Sequence, residues 1–500
     1  MSFSLPSLDV LPSCTVIAGD RRLQQGSGAT HAHIYPANGE VTKELSLAGA
    51  ADVDAAVAAA RAAAPAWRAL PGDQRRNLML SMAEVIERHR DELAALATLE
   101  NGTPSMVAPF IVTDAVQKFR YYAGWADKIQ GHTIATWAGS AHDYVVYEPY
   151  GVVGAIIPWN GPLFAATMVI TPALAAGNCV VLKSPELAPY TVMRLAELFE
   201  EAGFPPGVVN LVTGGADVGE AMVGHRGVDK IQFVGSGATA RKVLINAAET
   251  LKPCGLELGG KSAVVVFADA DLQNAAQKGL SGAISASGQG CVNGTRLLVE
   301  RPIYDQFIGM LQAMAGYIRI GDPLDPATVI GPLISDSAVQ RIAGVVDRAV
   351  NRDGARLVTG GQRLDGDHAD GYFLPITLIA DVDPHSDLAQ HEVFGPVLAI
   401  TPFDTEEEAI ELANGTDYGL GAYVHTEDGR RAHRMAAQLQ AGMIHVNGSA
   451  EAMQPFAPFG GMKQSGYGRL GGEQGLKEFL QTKNVWMNTA RREGQSGGES

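Results

Sequence analysis

Cationic clusters are missing from this sequence. Its lysines and arginines never form a block longer than a pair such as Arg21-Arg22 or Arg430-Arg431, and acidic residues outnumber them 54 to 38, for a net charge of −16. A broad phosphate-neutralising face is thereby excluded, and nucleic acid is not an expected partner. No apolar run approaches the ~18 residues of a membrane span. The opening residues, MSFSLPSLDVLPSC, lack the basic start and apolar stretch of a secretory signal. Cysteine is scarce: Cys14, Cys179, Cys254 and Cys291 stand too far apart for a disulfide framework or a C-x-x-C pair. Dense His/Cys/Asp clusters are also lacking, so no catalytic metal is expected. These absences imply a reduced, cytoplasmic protein that works on neither membranes nor nucleic acid.

What is present is apolar and rich in glycine. Hydrophobic residues make up 46% of the 500, charged residues only 18%, and there are 58 glycines. That composition suits a glycine-turned globular chain rather than a disordered one. The length implies about three domains.

Along the chain, Asp52 is positioned to cap an alanine-rich helix (VDAAVAAARAAAPAW). Asp73 is positioned to cap a second, carrying Leu78, Met82, Val85, Leu93 and Leu96 at helical spacing. From Tyr144 the character changes. VVYEPYGVVGAIIPWN, NCVVLKSP, VVNLVTGG and KIQFVGSG are short β-branched runs closed by Gly, Pro, Asn or Ser, with helical material between them. The alternation predicts a parallel α/β sheet covered on both faces. A second α/β unit starts at SAVVVFADA and runs to AGMIHVNG. Residues 453–469 read as an elaborate glycine-rich loop, and the last ten as a disordered tail.

Three motif matches lose their meaning in context. GLELGGKS (255–262) spells a phosphate loop, but a strand rather than a helix follows it. Gly494-Gln495-Ser496-Gly497-Gly498 spells a serine-hydrolase elbow inside the tail. HEVFG (391–395) lacks the second histidine of a zinc helix. A fourth match, Gly235-Ser236-Gly237-Ala238-Thr239-Ala240, does follow a strand and lead into a helix, so a backbone approach to a phosphate is credible there. The ribose-binding acid expected about 20 residues on would be Glu249 or Glu257, neither at the end of a clear second strand.

Cys291, in SASGQGCVNGTRLLVE, has glycines at 288 and 290 that let backbone pass close to a ligand. Local sequence leaves two readings open, an accessible thiol or a small core residue. The wider chain resembles the aldehyde dehydrogenase superfamily. PWNGPL (158–163), VLKSPELAP (181–189), FVGSGATA (233–240), LELGGKS (256–262), GQGC (288–291), EVFGPV (392–397) and PFGGMKQSGYGR (458–469) match seven of its motifs in family order.

The resemblance implies a non-acylating enzyme that oxidises an aldehyde with NAD. Cys291 would be the nucleophile, Asn160 the oxyanion donor and Glu257 the base that activates water for thioester hydrolysis. Trp159, Lys183, Glu186, Gly235, Ser236, Glu392 and Phe394 would hold the cofactor. Glu186 would repel a 2′-phosphate and so favour NAD over NADP. Gly161, Ala165, Met168, Gly290, Val292, Glu451 and Met453 would line the substrate tunnel. Gly161 stands where the family often has an aromatic ring, and no arginine lies between Asn447 and Pro458 to anchor a carboxylate. A roomy apolar entrance and a bulky neutral aldehyde, aromatic or long aliphatic, are therefore expected.

The implied architecture is an NAD-binding Rossmann-like domain (1–126 and 150–258), a catalytic α/β domain (259–473), an oligomerisation arm (127–149 with 474–490) and a tail (491–500). A homodimer or homotetramer goes with it. A CoA-acylating relative would not need Glu257, and a non-catalytic protein on this fold would not need all three catalytic positions.

Overall fold

The structure is a computed structural model, and it describes residues 11–137, 139–449 and 454–489. Glu451, Met453 and the 491–500 tail lie outside the described residues.

Apolar β-branched runs become buried strands, as the alternation predicted. Cys179–Pro185, Val209–Gly214, Val152–Ile156 and Ser262–Val266 are buried along their whole length, which is what strands covered on both faces require. The first sheet has eight strands. Its centre runs Val209–Gly214, Cys179–Pro185, Val152–Ile156, Lys230–Gly235, Cys254–Leu258, all parallel. Chain order reverses at Val152–Ile156, so a crevice opens beyond the carboxyl ends of that strand and of Lys230–Gly235. Short antiparallel strands close the edges: Val16–Ala18 followed by Arg21–Leu23 on one side and Gly466–Tyr467 on the other.

Three residues, 259–261, connect this sheet to the second. The second sheet is ordered Arg356–Thr359, Thr377–Ala380, Val397–Phe403, Gly294–Glu300, Ser262–Val266, Gly421–His425, Met443–Val446. It is parallel except for its first pair. Outside both sheets, Leu480–Asn488 pairs antiparallel with Ala141–Pro149 over nine residues, and His132–Ile134 adds a third strand.

Some local expectations need correction. The first helix spans Ala50–Ala69, so Asp52 lies inside its first turn rather than at the cap. Its carboxylate accepts from the Gly49 and Ser27 backbone N–H groups at 3.0 and 2.6 Å, a back-bond to the helix entrance. Asp73 likewise falls in the first turn of Gly72–Arg88, where no side chain caps the helix. That helix ends at His89, and Leu93 and Leu96 belong to a separate helix, Arg90–Asn101. Glu257 does sit on a strand, Cys254–Leu258, beside Lys230–Gly235. The strand escaped notice because it is short and carries a glycine and a carboxylate.

Candidate active site

Five loops meet at the crevice, one of them the segment that carries Glu392 and Phe394. The first leaves Val152–Ile156 through Pro158, Trp159 and Asn160 and turns at Gly161 into the Pro162–Ala175 helix. The second is the Gly235-Ser236 turn, where Ser236 Oγ accepts from the Thr239 N–H at 3.3 Å and caps the Gly237–Ala248 helix. The third is the Gly259–Lys261 connection following Glu257. The fourth holds Cys291. Pro158, Trp159, Asn160, Ser236, Glu257, Cys291, Arg341, Glu392 and Phe394 all border one cleft of about 300 Å³. That is the size of a small-ligand site.

Missing side chains make this convergence possible. A Cβ on Gly259 would lie 2.1 Å from the Glu392 carboxylate, and one on Gly288 would lie 2.1 Å from the Gly395 carbonyl carbon. Gly288 also adopts φ +80°, while its neighbours Ala286 and Ser287 hold left-handed backbone at φ 51° and 55°. Phe394 does so too, at φ 53°. Side-chain-bearing residues held there store strain of roughly 1–3 kcal/mol each, a feature that clusters at functional sites.

Polar contacts fix the parts. Asn160 Nδ2 donates to the Gln289 carbonyl at 2.7 Å, which leaves its second amide hydrogen for a ligand. The Gln289 side chain is itself held, Oε1 accepting from the Ile334 N–H at 3.0 Å. Glu392 accepts from the Gly260 N–H at 3.0 Å, and the Phe394 ring stands edge-on to Trp159 at 5.5 Å. Burial pushes the Cys291 thiol up to about 12, helped by the negative charges of Glu392 and Glu257. Glu257 is 3% exposed, and neither of its oxygens has a hydrogen-bond partner among the described residues. Burial raises its carboxyl well above the usual range, against the pull of the Arg469 charge. Burial likewise raises Glu392 to about 7.

Lys183 and Glu186 stand at the carboxyl end of Cys179–Pro185, with Nζ 3.5 Å from Oε2. Burial pushes the Lys183 amine down, and the neighbouring Ser184 and Thr213 hydroxyls are buried without hydrogen-bond partners among the described residues.

The expected tunnel residues are scattered. Met168 borders a second, small cavity of about 30 Å³, together with Asp114, Lys118, Phe164, Gln454 and Phe459. Gly161 precedes the Pro162–Ala175 helix and Ala165 is buried within it. Gly290 packs against Asn293, and the buried Val292 accepts at its carbonyl from the Tyr423 hydroxyl at 2.7 Å. The cavity that Met168 borders is narrow and carries the Lys118–Asp114 ion pair, while Glu451 and Met453, also expected at the entrance, lie outside the described residues. A Cβ at Gly161 would lie 3.8 Å from the Phe164 Cβ, so the Phe164 side chain stands close to that position.

Arg341, Gln289, Arg469, Asp114 and Lys118 were not picked out from sequence. Arg341 reaches the cleft from the Asp336–Asn351 helix and donates to the Val393 carbonyl at 2.7 Å. Nothing around it marks it. Asp114 and Lys118 have the i, i+4 spacing of an ordinary surface pair. No group of three or more His, Cys, Asp or Glu that could hold a metal occurs among the described residues. Among them, too, no helix is long and apolar enough to cross a membrane.

Comparison with known proteins bears on this site. The family model for the Aldehyde dehydrogenase family matches residues 23–485. The "Putative aldehyde dehydrogenase DhaS" of Bacillus subtilis is 41% identical over 466 residues, covering 92% of this chain and 93% of that one. A betaine aldehyde dehydrogenase of Cereibacter sphaeroides is 39% identical over 480 residues, 95% of this chain and 97% of its own. The crystal structure of betaine aldehyde dehydrogenase from Staphylococcus aureus in complex with NAD+ superposes with a TM-score of 0.93 at 37% identity, over 96% of each chain.

Proposed function

The chain belongs to the aldehyde dehydrogenase family and is an NAD-dependent aldehyde dehydrogenase, and on that premise we propose that Cys291, Asn160 and Glu257 carry the reaction on a bulky neutral aldehyde, aromatic or long aliphatic. One observation carries this reading: the three side chains border a single cleft at the point where strand order reverses.

The residues present fit the dinucleotide. The helix starting at Gly237 offers N–H groups of its first turn to a phosphate. Lys183 and Glu186 would hold the adenosine ribose, and the Glu186 carboxylate would repel a 2′-phosphate, favouring NAD over NADP. Trp159, Glu392 and Phe394 would position the nicotinamide end, with Gly235 and Ser236 beside the pyrophosphate and Arg341 assisting. NAD supplies the hydride acceptor when bound.

Cys291 Sγ, once deprotonated, attacks the aldehyde carbon. The carbonyl π pair moves onto oxygen as the C–S bond forms. The oxyanion is held by the free hydrogen of the Asn160 amide and by the Cys291 N–H. Loss of hydride from that carbon leaves a thioester on Cys291. Glu257 takes a proton from water, the resulting hydroxide adds to the thioester, and the C–S bond breaks to release the carboxylic acid. Its raised pKa makes Glu257 a stronger base than an exposed carboxylate once it is ionised.

Apolar surface buried along Phe164, Met168 and Phe459 favours a long tail by ~25 cal/mol per Å². In this reading residues 1–126 and 150–258 form the NAD domain and 259–473 the catalytic domain. Residues 127–149 with 474–490 form the arm of a homodimer or homotetramer in the cytoplasm. Replacing Cys291→Ala tests the chemistry: turnover of any aldehyde is lost while NAD affinity, read by tryptophan fluorescence, stays within about threefold. Aldehyde oxidation retained by that variant would overturn the assignment.

A further inference from the structure

Resting on that reading, we infer that Tyr423 is a positioning residue for the nucleophile: its hydroxyl, backed by the His445 ring, locks the backbone turn that aims Cys291. Tyr423 does not border the cleft, and it acts through the Val292 carbonyl.

Cys291 occupies a tight turn. The Asn293 N–H donates to the Gly290 carbonyl at 3.2 Å, which closes residues 290–293 with Cys291 and Val292 at the corners. Asn293 is anchored in its own right, Nδ2 donating to the Ala283 and Ser285 carbonyls at 3.2 and 2.9 Å. A Cβ on Gly290 would lie 2.3 Å from Asn293 Oδ1, so the turn folds directly onto that side chain.

The peptide unit between Val292 and Asn293 is thus held through its N–H. Tyr423 holds the same unit through its other end, the hydroxyl donating to the Val292 carbonyl at 2.7 Å. What depends on this turn is the reacting sulfur. The N–H groups of Cys291 and Val292 both draw the thiol's pKa back down against burial. The Cys291 N–H is also the backbone donor assigned to the oxyanion. Their directions follow the turn, and a misplacement of ~1 Å costs up to ~10²-fold in rate.

The second sheet places Tyr423 for this task. On the Gly421–His425 strand it is the register partner of His445 on the parallel Met443–Val446 strand, so both side chains leave the same face. Their rings stack with centroids 5.4 Å apart and planes 20° from parallel. From the other side the ring meets Gly294, where a Cβ would lie 3.2 Å from it. Tyr423 is buried, and the hydroxyl has one settled position. Burial pushes the phenol up, and the charge that Cys291 gains as thiolate pushes it further the same way. The hydroxyl therefore remains a donor at the moment the nucleophile forms.

A tyrosine that merely filled space would accept phenylalanine without effect on rate, because the ring and its stacking survive. Tyr423→Phe tests that difference. Full-length enzyme saturated with NAD is mixed with limiting hexanal in a stopped flow, so the first NADH reads attack and hydride loss ahead of thioester hydrolysis. The rate constant is expected to fall about tenfold, while NAD affinity, read by tryptophan fluorescence, stays within about threefold and the melting curve is retained. His445→Ala removes the backing ring and lowers the same rate constant about threefold, and His445→Phe, which supplies a flat ring again, keeps it within about twofold of wild type. These two variants carry the test where Tyr423→Phe does not fold. A Tyr423→Phe rate constant within about twofold of wild type overturns the inference, as does a fall matched by an equal loss of NAD affinity. Equal rates for His445→Ala and His445→Phe overturn the part given to His445. NADH formed by Cys291→Ala in the same experiment overturns the assignment of the nucleophile itself, and this inference with it.

Discussion

At Cys291 the protein sets a problem that its own side chains do not solve. Burial and two nearby carboxylates hold the thiol protonated, with its pKa near 12, and Glu257 is raised as well. Both groups become reactive by losing a proton. It follows that kcat/KM rises with pH from neutrality into the alkaline range, the reverse of what a low-pKa thiolate would give. Glu257→Gln separates the two steps. The thioester forms without a base for water, so a burst of NADH near one equivalent per subunit appears and steady turnover falls by at least ~10²-fold, within the range for losing a positioned base. Stopped-flow absorbance reads both phases; a burst lost with NAD binding intact would place Glu257 earlier, as base for the thiol. These residues were legible in the sequence because each lies in a contiguous motif, GQGC or LELGGKS, whose glycines mark close backbone approach. Lys118, Asp114 and Arg341 were not legible, since each sits on a regular amphipathic helix and only tertiary packing turns it inward.

Elements were legible to the extent that their chemistry is local. Runs such as NCVVLKSP and KIQFVGSG declare buried parallel strands through composition alone, and the strand-order reversal that creates the cleft follows from their pairing. Helix entrances were less readable. An aspartate near a helix start serves equally well as cap or as third residue, and Asp52 takes the second place because Gly49 and Ser27 present their N–H groups to it. The Gly259–Lys261 connection shows what such short elements contribute. It joins the two sheets and lets the Glu392 carboxylate lie where a side chain at 259 would sit. Gly259→Ala is accordingly expected to displace that flexible carboxylate rather than the backbone. KM for NAD should rise about tenfold, equivalent to ~1.4 kcal/mol, with kcat for the aldehyde less affected. An unchanged KM would mean that Glu392 does not contact the cofactor.

For the whole molecule, the three-stranded sheet of Leu480–Asn488, Ala141–Pro149 and His132–Ile134 is the part that one chain cannot explain alone. Most of the Leu480–Asn488 strand is exposed, and Trp486, Met487, Ile134 and Trp137 present large apolar surfaces to solvent. Open strand edges with such residues pair or aggregate unless another surface covers them. A second copy of the chain, bearing the same sheet, is the occupant we propose, and symmetry makes a self-complementary contact the simplest closure. A net charge of −16 on each subunit opposes that contact at low ionic strength. Raising the salt from ~10 mM to ~150 mM shortens the screening length from ~30 Å to ~8 Å and should strengthen assembly. Light scattering is therefore expected to give two or four times 52.6 kDa, with the smaller species gaining as salt is removed. Trp486→Lys with Met487→Lys should shift the mass toward 52.6 kDa. A wild-type mass of one subunit at micromolar concentration and ~150 mM salt would refute the assembly, because the apolar attraction would then be too weak even with repulsion screened.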